Sequence, residues 1–295
     1  MFTRKTASWV TSLVVLLISS LGVAQEPDPK DDRAARLEEM TRLIKDLKIS
    51  DTSRPSADDA VVSPQPLHRW NDPTRDFSDG TLWAFGSVGR PVALGTMELY
   101  GTPKGVENWS IELIAVAPGP ILGSASGTYL PLGAAYRPGL GGPLRWTPKG
   151  NGVEMSAVPG GAGPGISESE RLRQMKTIAS RITAKEIGPT NGDDQQFELR
   201  LLPRPIHRYD EPKKGLLDGA IFVYAYGTNP ELLAFVEARS GTDKKAFWSV
   251  GFARISRAKL AAQLDGKDVW NCPYTADAAA EEPYHIVRTA RVPKE

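Results

Sequence analysis

Histidine, arginine and glutamate recur at matching positions in two parts of this chain, and these side chains could transfer protons or bind ions. Histidine titrates near neutral pH, so both histidines are candidates for acid–base chemistry. A structural role is favoured, because a His-Arg step that follows a proline and leads into a strand can bond backbone groups and acidic side chains. We therefore predict binding residues and no catalytic ones. The two sets are His68, Arg69 and Glu98, and His207, Arg208 and Glu237.

The two glutamates stand inside otherwise apolar segments. Burying an unpaired carboxylate is costly, so each glutamate is expected to pair with a base or to face solvent. We predict an ion pair between Glu98 and Arg69 and another between Glu237 and Arg208. A solvent-facing carboxylate and an active-site carboxylate are the alternatives.

Other patterns of catalytic and metal-binding residues do not occur in the sequence. Three isolated histidines and one cysteine supply no closely spaced pair of zinc ligands. The Gly-Ser-rich segment 123–127 has Ala125 where a hydrolase would need its nucleophile. The glycine-rich segment 160–165 contains proline and follows no predicted strand, so it does not fit a phosphate-binding loop. We expect no cofactor and no metal.

Both sets of residues belong to a stretch that occurs twice, at a constant offset of 139 residues. Segments 66–113 and 205–252 share 11 identities in 48 positions without a gap. A repeat of this length predicts two similar structural units. The identities include Asp79-Gly80 with Asp218-Gly219, Glu98 with Glu237, and Trp109-Ser110 with Trp248-Ser249.

A helix is predicted before each copy of the repeat. Apolar residues recur at helical spacing over 32–49 and over 167–187. Ser167, with Glu170 three residues later, forms a capping-box pattern at the start of the second helix. Both helices contain the pattern Arg-Leu-x-x-Met, at Arg36-Leu37-Met40 and Arg171-Leu172-Met175.

Each copy itself is predicted to form an antiparallel meander. Segments 82–85 and 221–224 are apolar on both faces, which predicts central strands of a sheet covered on both sides. The fold class is therefore predicted as α+β, an internal duplication in which each half packs one helix on a curved antiparallel β-meander. Segment 117–165 is rich in glycine and proline and is expected to hold no long regular element. The predicted organisation is a first half at 25–148, a linker at 149–166 and a second half at 167–295, with shared blocks at 66–116 and 205–255.

The N-terminus has the pattern of an export signal. Arg4 and Lys5 precede an apolar run of about a dozen residues, and small residues up to Ala24 suit cleavage, so 1–24 is predicted to be a signal peptide. Without it the chain has 34 basic and 35 acidic residues, which argues against nucleic-acid binding. The lone Cys272 excludes both an intrachain disulfide and a lipid anchor directly after the signal.

Several stretches resemble uncharacterised exported proteins of planctomycete bacteria. The resemblance would cover most of the mature chain and implies export, but it brings no known activity. The stretches are Pro66-Leu67-His68-Arg69-Trp70, Asp79-Gly80-Thr81-Leu82-Trp83, Arg171-Leu172-Arg173-Gln174-Met175, and Asp218-Gly219-Ala220-Ile221-Phe222 through Gly227-Thr228-Asn229-Pro230-Glu231.

A local stretch of about 20 residues, 66–85, is similar to the periplasmic lipoprotein-carrier family, whose half-open barrels hold acyl chains. The similarity is an Arg-aromatic pair after a proline, then a second proline, then Ser78-Asp79-Gly80 with Thr81-Leu82-Trp83. It implies an apolar ligand. The duplication is not part of that family's pattern, and no binding residue is carried over.

These features predict an exported, soluble protein, a non-catalytic periplasmic or secreted binding or structural module. Its contact surface is expected in the groove between the halves, and a cell-envelope protein is one candidate partner. The first alternative is a carrier of an apolar, lipid-like small molecule. The second is a hydrolase-like enzyme that uses the duplicated histidines and glutamates. No nucleic-acid partner and no stable membrane anchor are expected.

Overall fold

A computed structural model provides the fold of the chain. The predicted signal peptide at 1–24 lies outside the described residues. None of the helices in the described part is long and apolar enough to cross a membrane. The structure describes residues 30–53, 59–72, 77–100, 107–131, 141–150, 152–190, 193–241, 245–276 and 278–291.

The first helix, α1, spans Lys30–Asp46. Met40 and Ile44, on its predicted apolar face, are completely buried. The helix ends earlier than the predicted 32–49, because Lys48–Asp51 forms a strand, β1, that pairs with a later strand of the sheet. The side chain of Ile49 is buried from this strand rather than from a helix.

The second helix, α2, spans Glu168–Ser180. The Ser167 hydroxyl accepts a hydrogen bond from the Glu170 backbone N–H at 3.2 Å, as the capping pattern predicts. The predicted helix over 167–187 is too long, because Ile182–Thr190 is a strand, β9, paired with the strand that follows it. Ile182 and Ala184 are buried on one face of this strand, which fits the period of two of a strand.

The first sheet has eight strands in the order β1-β6-β17-β5-β4-β3-β2, with β7 paired to β6. Strand β6 is eleven residues long and lies inside the segment that was expected to hold no long regular element. That expectation is wrong, because the prolines of this segment lie outside the strand or at its last residue. The strands are β2 His68–Asp72, β3 Phe77–Phe85, β4 Ala93–Tyr100, β5 Asn108–Ala115, β6 Ile121–Pro131, β7 Gly142–Trp146 and β17 Tyr284–Ala290.

The second sheet has nine strands in the order β16-β15-β9-β10-β12-β13-β14-β8, with β11 paired to β12. Every strand pair recorded in either sheet is antiparallel. The remaining strands are β8 Met155–Ala157, β10 Asp193–Leu201, β11 His207–Glu211, β12 Leu216–Tyr226, β13 Asn229–Ser240, β14 Ala246–Arg254, β15 Lys259–Leu264 and β16 Lys267–Cys272.

The register of β2, β3, β4 and β5 recurs in β11, β12, β13 and β14 at an offset of 139. Gly80 lies opposite Glu98 in the first sheet, and Gly219 lies opposite Glu237 in the second. The register also shifts at the same place, between Phe77 and Asp79 and between Leu216 and Asp218. The duplicated stretch therefore forms two ladders in which the same positions are partners.

The two sheets pack face to face, and each is covered on its other side by one helix. Alternate residues of each central strand enter two different cores, as runs that are apolar on both faces predict. Leu82 and Ile221 lie in the core between the sheets, whereas Trp83 packs under α1 and Phe222 under α2. The layers are therefore helix, sheet, sheet and helix.

The predicted α+β class is wrong, because strands dominate the chain. Of the described residues, 55% are in strands and 14% are helical, in two curled sheets with two α-helices. The sequence pattern identified the helices and the central meanders but not the short polar strands around them. After an exposed first residue, β15 alternates buried residues with half-buried ones, and β16 contains only exposed and half-buried residues. Neither strand has an apolar run of the kind used to find the central strands.

Two strands lie across the expected division of the chain into halves. β8 lies within the predicted linker, 149–166, and pairs with β14 at the edge of the second sheet. β17 lies at the end of the predicted second half, 167–295, and inserts between β5 and β6 of the first sheet. The end of the chain therefore completes the sheet that its beginning forms.

Candidate functional site

One row of side chains crosses each sheet on the face that packs against the other sheet. Consecutive partners across a ladder point to the same face of the sheet. The aromatic ring lies flat over the glycine, close enough that a Cβ there would be 2.4 Å from a ring atom in both sheets. The glycine thus lets the ring reach the glutamate beyond it. The rows are Trp70-Gly80-Glu98-Ser110 in the first sheet and Tyr209-Gly219-Glu237-Ser249 in the second.

Replacing Gly219 by alanine is expected to lower the free energy of unfolding by about 2 kcal/mol. The new methyl group would meet Tyr209 Cε2 at 2.4 Å, so the ring must move and lose the hydrogen bond of its hydroxyl to Glu237. Urea denaturation measures the change. Gly142→Ala is the matched control, since nothing lies within 4 Å of a Cβ there. Equal effects of the two substitutions would contradict this account of the row.

In the second sheet, Glu237 is fully buried and bound by cations. Arg90 reaches across from the first sheet and donates from Nε to Oε1 at 2.7 Å and from Nη2 to Oε2 at 2.9 Å. Arg239 donates to Oε2 at 2.8 Å, and the Tyr209 hydroxyl donates to Oε1 at 2.9 Å. Arg90 Nη1 also reaches the Val153 carbonyl oxygen at 3.3 Å. We call this arrangement the Glu237 site.

The ionised forms are favoured at the Glu237 site. Burial by itself would raise the pKa of the Glu237 carboxyl, but the hydrogen bonds and charge of Arg90, together with Arg239 and Tyr209, hold it below its usual value. Burial opposes the charge of Arg90, yet its bonds to Glu237 raise the pKa of the guanidinium. A bidentate pair with its remaining lone pairs satisfied is the geometry in which a buried ion pair is tolerated.

Glu98, at the equivalent position of the first sheet, has different neighbours. It is 4% exposed, and the Tyr100 hydroxyl donates to its Oε2 at 3.1 Å. The Trp70 indole N–H approaches it but has no hydrogen-bond partner among the described residues. None of the recorded contacts of this carboxylate within the described part of the chain is with a cation.

Two further buried glutamates join Glu98. Glu112 on β5 is two residues after Ser110, so it lies on the same face of the sheet, and it is 5% exposed. Glu231 on β13 is 2% exposed and accepts a hydrogen bond from Asn229 Nδ2 at 3.0 Å. Oε2 of Glu112 and Oδ1 of Asn229 are buried without a hydrogen-bond partner. The three carboxylates and Asn229 line a cavity of ≈ 310 Å³ between the sheets, which we call the acidic cavity.

Protonation of Glu98 and Glu112 is favoured by their position in the acidic cavity. Burial raises the pKa of Glu98 to about 7. The Tyr100 hydroxyl is the main opposing influence, the nearby charge of Glu231 adds a smaller increase, and Trp70 lowers the pKa slightly. Burial and the charges of Glu98 and Glu231 raise the pKa of Glu112 well above its usual range. Tyr284 and Arg257 act in the other direction at Glu112 but do not outweigh burial. Three carboxyls therefore share a site that cannot keep all of them ionised.

Basic side chains line the more exposed part of the same cavity. Arg257 and Arg288 are half-buried and Lys259 is exposed, in contrast to the buried carboxylates. Arg288 lies over the ring of Tyr100 at 5.8 Å, and Arg257 over the ring of Tyr274 at 5.9 Å. The lining is thus acidic at depth and basic toward solvent.

The predicted pairs of Arg69 with Glu98 and of Arg208 with Glu237 are wrong. Both arginines bind an aspartate instead. Arg69 Nε donates to Asp79 at 2.8 Å, and Arg208 Nη2 donates to Asp218 at 2.7 Å. A helix arginine shares each aspartate, Arg36 in α1 and Arg171 in α2, both at 3.0 Å. These duplicated clusters fasten each helix to its sheet, on the face away from the carboxylate rows.

The two histidines are not brought to the glutamates. His68 stacks on Trp70 and His207 on Tyr209, with ring centroids 5.6 and 5.8 Å apart. Burial lowers the pKa of both imidazoles. His68 shares a row with Glu112 but is three strands away, roughly 14 Å at the usual strand spacing. The histidines support the aromatic rings that cover the glycines.

Comparison with known proteins found no match, whether to a family model, to a curated protein or to a solved structure. The described residues also contain no group of three or more His, Cys, Asp or Glu side chains arranged to hold a metal ion. The chemistry of the site therefore has to be argued from its own residues.

Sequence reasoning identified Glu98 and Glu237 but missed their neighbours. Arg90, Glu112, Asn229 and Glu231 were not singled out, although each stands at a position where the two copies differ. The offset of 139 pairs Arg90 with Asn229, Glu112 with Gly251, and Glu231 with Val92. Comparing the differences between the copies, rather than their identities, would have pointed to the acidic cavity.

Proposed function

We propose that the protein is an exported, non-catalytic binding module that holds a small cationic ligand in the acidic cavity between its two sheets. The observation that carries the proposal is the cluster of Glu98, Glu112 and Glu231, buried around one cavity. A cation that enters it would give Glu98 and Glu112 a positively charged partner in direct contact, and no such contact is recorded for either in the described part of the chain. The basic start and apolar run of segment 1–24 support export.

The lining of the cavity favours a charged ligand over an apolar one. The apolar residues that face each other between the sheets pack into a single core. The space beside that core is lined by carboxylates, an amide and basic side chains, together with Tyr100, Ile187, Ile255, Tyr274 and Ile286. A site built to hold acyl chains alone would have no use for three buried carboxylates, because burying them is costly.

A hydrolase-like activity is the second candidate, and one observation favours it. Burial raises the pKa of the Glu98 carboxyl to about 7, and burial also raises the pKa of Glu112, which lines the same cavity, well above its usual range. Pairs of carboxyls with raised pKa values serve as general acids in enzymes. Binding is preferred, because none of the histidines lines the cavity, and no nucleophile–base pair is formed by its described lining residues.

Isothermal titration calorimetry of the full chain with a panel of small organic cations tests the proposal. The panel is propylamine, methylguanidine, L-lysine and L-arginine. At least one is expected to bind saturably, and Glu112→Gln should weaken that binding about tenfold, because one lost charge-assisted contact is worth roughly 1.4 kcal/mol. The exposed Glu198→Gln is the control.

Two results would contradict the binding proposal. One is the absence of saturable binding by every cation of the panel. The other is binding that Glu112→Gln leaves unchanged, which would locate the ligand elsewhere. Mass spectrometry of the recovered ligand separates the two candidate functions, since an unaltered ligand supports a binding module and a cleaved ligand an enzyme.

A further inference from the structure

The Glu237 site contains a bound guanidinium, that of Arg90, whereas no contact of Glu98 with a cation is recorded in the described part of the chain. Arg90 occupies the position that Asn229 occupies in the other copy of the repeat. Arg90 comes just before β4 and Asn229 is the first residue of β13, the strands that carry the glutamates of their own copies, and both lie beside the glutamate of the other copy. Asn229 is 7% exposed, and its side chain ends in a neutral amide instead of a guanidinium. The two sites thus share the arrangement of strands around a buried glutamate, and they differ in whether a side chain of the protein places a guanidinium beside it.

The acidic cavity keeps Glu98 at the position of the carboxylate that holds Arg90 in the other site, and it adds further acceptors. Oδ1 of Asn229 and Oε2 of Glu112 are buried and unpaired, so each could accept a bond from a ligand. At the position of Glu112 the other copy has Gly251, where a side chain would collide with Val153 and Met155. The strand beside this position is β8 in the second sheet and β17 in the first, and Glu112 adds a carboxylate where the other copy has none.

A guanidinium fits these acceptors better than an ammonium does. It is planar, presents a fixed fork of N–H donors and binds a carboxylate through two parallel bonds, as Arg90 does with Glu237. It also loses less hydration on burial than an ammonium, which matters in a site where the carboxylates are at most 5% exposed. The Trp70 indole beside Glu98 suits the flat face of such a group.

The outer lining sets a second requirement. Arg257, Lys259 and Arg288 line the cavity on its more exposed side and would repel a ligand that carried positive charge alone. A ligand with a carboxylate at its other end would meet these bases while its cation lies among the glutamates. The charge gradient along the cavity therefore matches a zwitterion with its cation directed inward.

We propose that the acidic cavity binds a small zwitterion whose guanidinium is held by Glu98 and Glu112, as Glu237 holds Arg90, and whose carboxylate faces Arg257 and Arg288. The inference rests on the proposed cation-binding function and names its ligand class. Free arginine and a short peptide that ends in arginine both carry this chemistry. The residue at position 229 decides whether the site takes its guanidinium from the protein or from a ligand.

Calorimetry on the full chain at pH 8 tests the ligand class. L-Arginine is expected to bind, L-lysine at least about tenfold more weakly because it lacks the fork, and argininamide about fivefold more weakly because it lacks the carboxylate. Glycyl-arginine is measured beside L-arginine. The tighter binder of the two shows whether the ligand is a peptide that ends in arginine or free arginine. Either one binding more tightly than L-lysine supports the proposal.

Asn229→Arg tests the structural argument directly. The introduced side chain should fill the cavity as Arg90 fills the other site and weaken arginine binding by more than about tenfold. Asn271→Arg, which makes the same exchange at an exposed position of β16, should leave the affinity within about twofold. Glu112→Gln removes an acceptor with little change of shape and serves where Asn229→Arg does not fold, as judged by thermal unfolding.

The outcomes separate this inference from the broader one. L-Lysine binding as tightly as L-arginine, argininamide binding as tightly as L-arginine, or unchanged affinity in folded Asn229→Arg would overturn the guanidinium–carboxylate assignment while leaving a cation-binding site in place. No binding by any cation would overturn both proposals.

Discussion

Replacing Glu237 by glutamine is expected to lower the free energy of unfolding by about 3–5 kcal/mol, the range for breaking one side of a buried ion pair. The substitution keeps the size of the side chain but removes its charge. Arg90, whose side chain is 13% exposed, would then remain buried without its counter-ion, and Arg239 would lose the same partner. Urea denaturation at pH 7 measures the change.

Two controls show whether this loss comes from the buried pair. Arg181 and Asp265 form an ion pair with side chains 29% and 48% exposed, so Asp265→Asn should change stability far less than Glu237→Gln does. Arg90→Met removes the guanidinium and leaves Glu237 with Arg239 and Tyr209, and it should also destabilise the protein. A loss under about 1 kcal/mol in Glu237→Gln would mean that the pair is not held as described.

The sequence predicted the ladders of the duplicated stretch because their constraints are local. A ring that covers a glycine, and a glutamate opposite that glycine, need particular residue types at fixed offsets. Residues that are identical in the two copies, such as Gly80 and Glu98, therefore lie at positions where the strand register requires that residue type. The helical stripes of α1 and α2 were readable for the same reason, although their C-terminal ends were not.

The sequence could not predict which charges meet, because the partners belong to opposite sheets. Arg90 and Glu237 are 147 positions apart, and only the packing of one sheet on the other brings them together. Arg69 was assigned to Glu98 because both recur, yet neighbouring residues of a strand point to opposite faces. Asp79, next to Gly80, points toward α1, and so it binds Arg69 while Glu98 faces the other sheet.

The fold class was predicted wrongly because the strands outside the repeat were not recognised in the sequence. β9 and β10 contain several charged and amide residues, and β9 also pairs with β15, which is more than 70 positions along the chain. β17 is separated from its partner β5 by about half of the chain. Local periodicity carries no information on such pairs, whereas it does identify a helix.

The equivalent substitution in the first sheet, Glu98→Gln, is expected to have the opposite sign. At pH 8 it should raise the free energy of unfolding by about 3 kcal/mol, since each pH unit of difference between folded and unfolded pKa values is worth about 1.4 kcal/mol. Burial and Glu231 raise the pKa of Glu98 to about 7 from a usual 4.5, so ionising it in the folded protein is unfavourable. Glutamine has the same shape and never ionises.

The pH dependence distinguishes this explanation from a general gain in stability. Because the folded pKa is the higher one, the folded protein binds the extra proton, and its stability is greatest below about pH 4.5 and is lost as the pH rises to about 7. The variant and the parent should therefore be equally stable at pH 4 and should diverge up to pH 8. Urea denaturation across this range, with the exposed Glu198→Gln as control, measures the divergence.

The groups that face Glu98 and titrate or carry charge in this comparison are Tyr100, Glu112, Glu231 and the more distant Arg257, Lys259 and Arg288. A loss of stability at pH 8, as predicted for Glu237→Gln, would mean that Glu98 already has a cationic partner, and the acidic cavity would then have no unmet charge to offer a ligand.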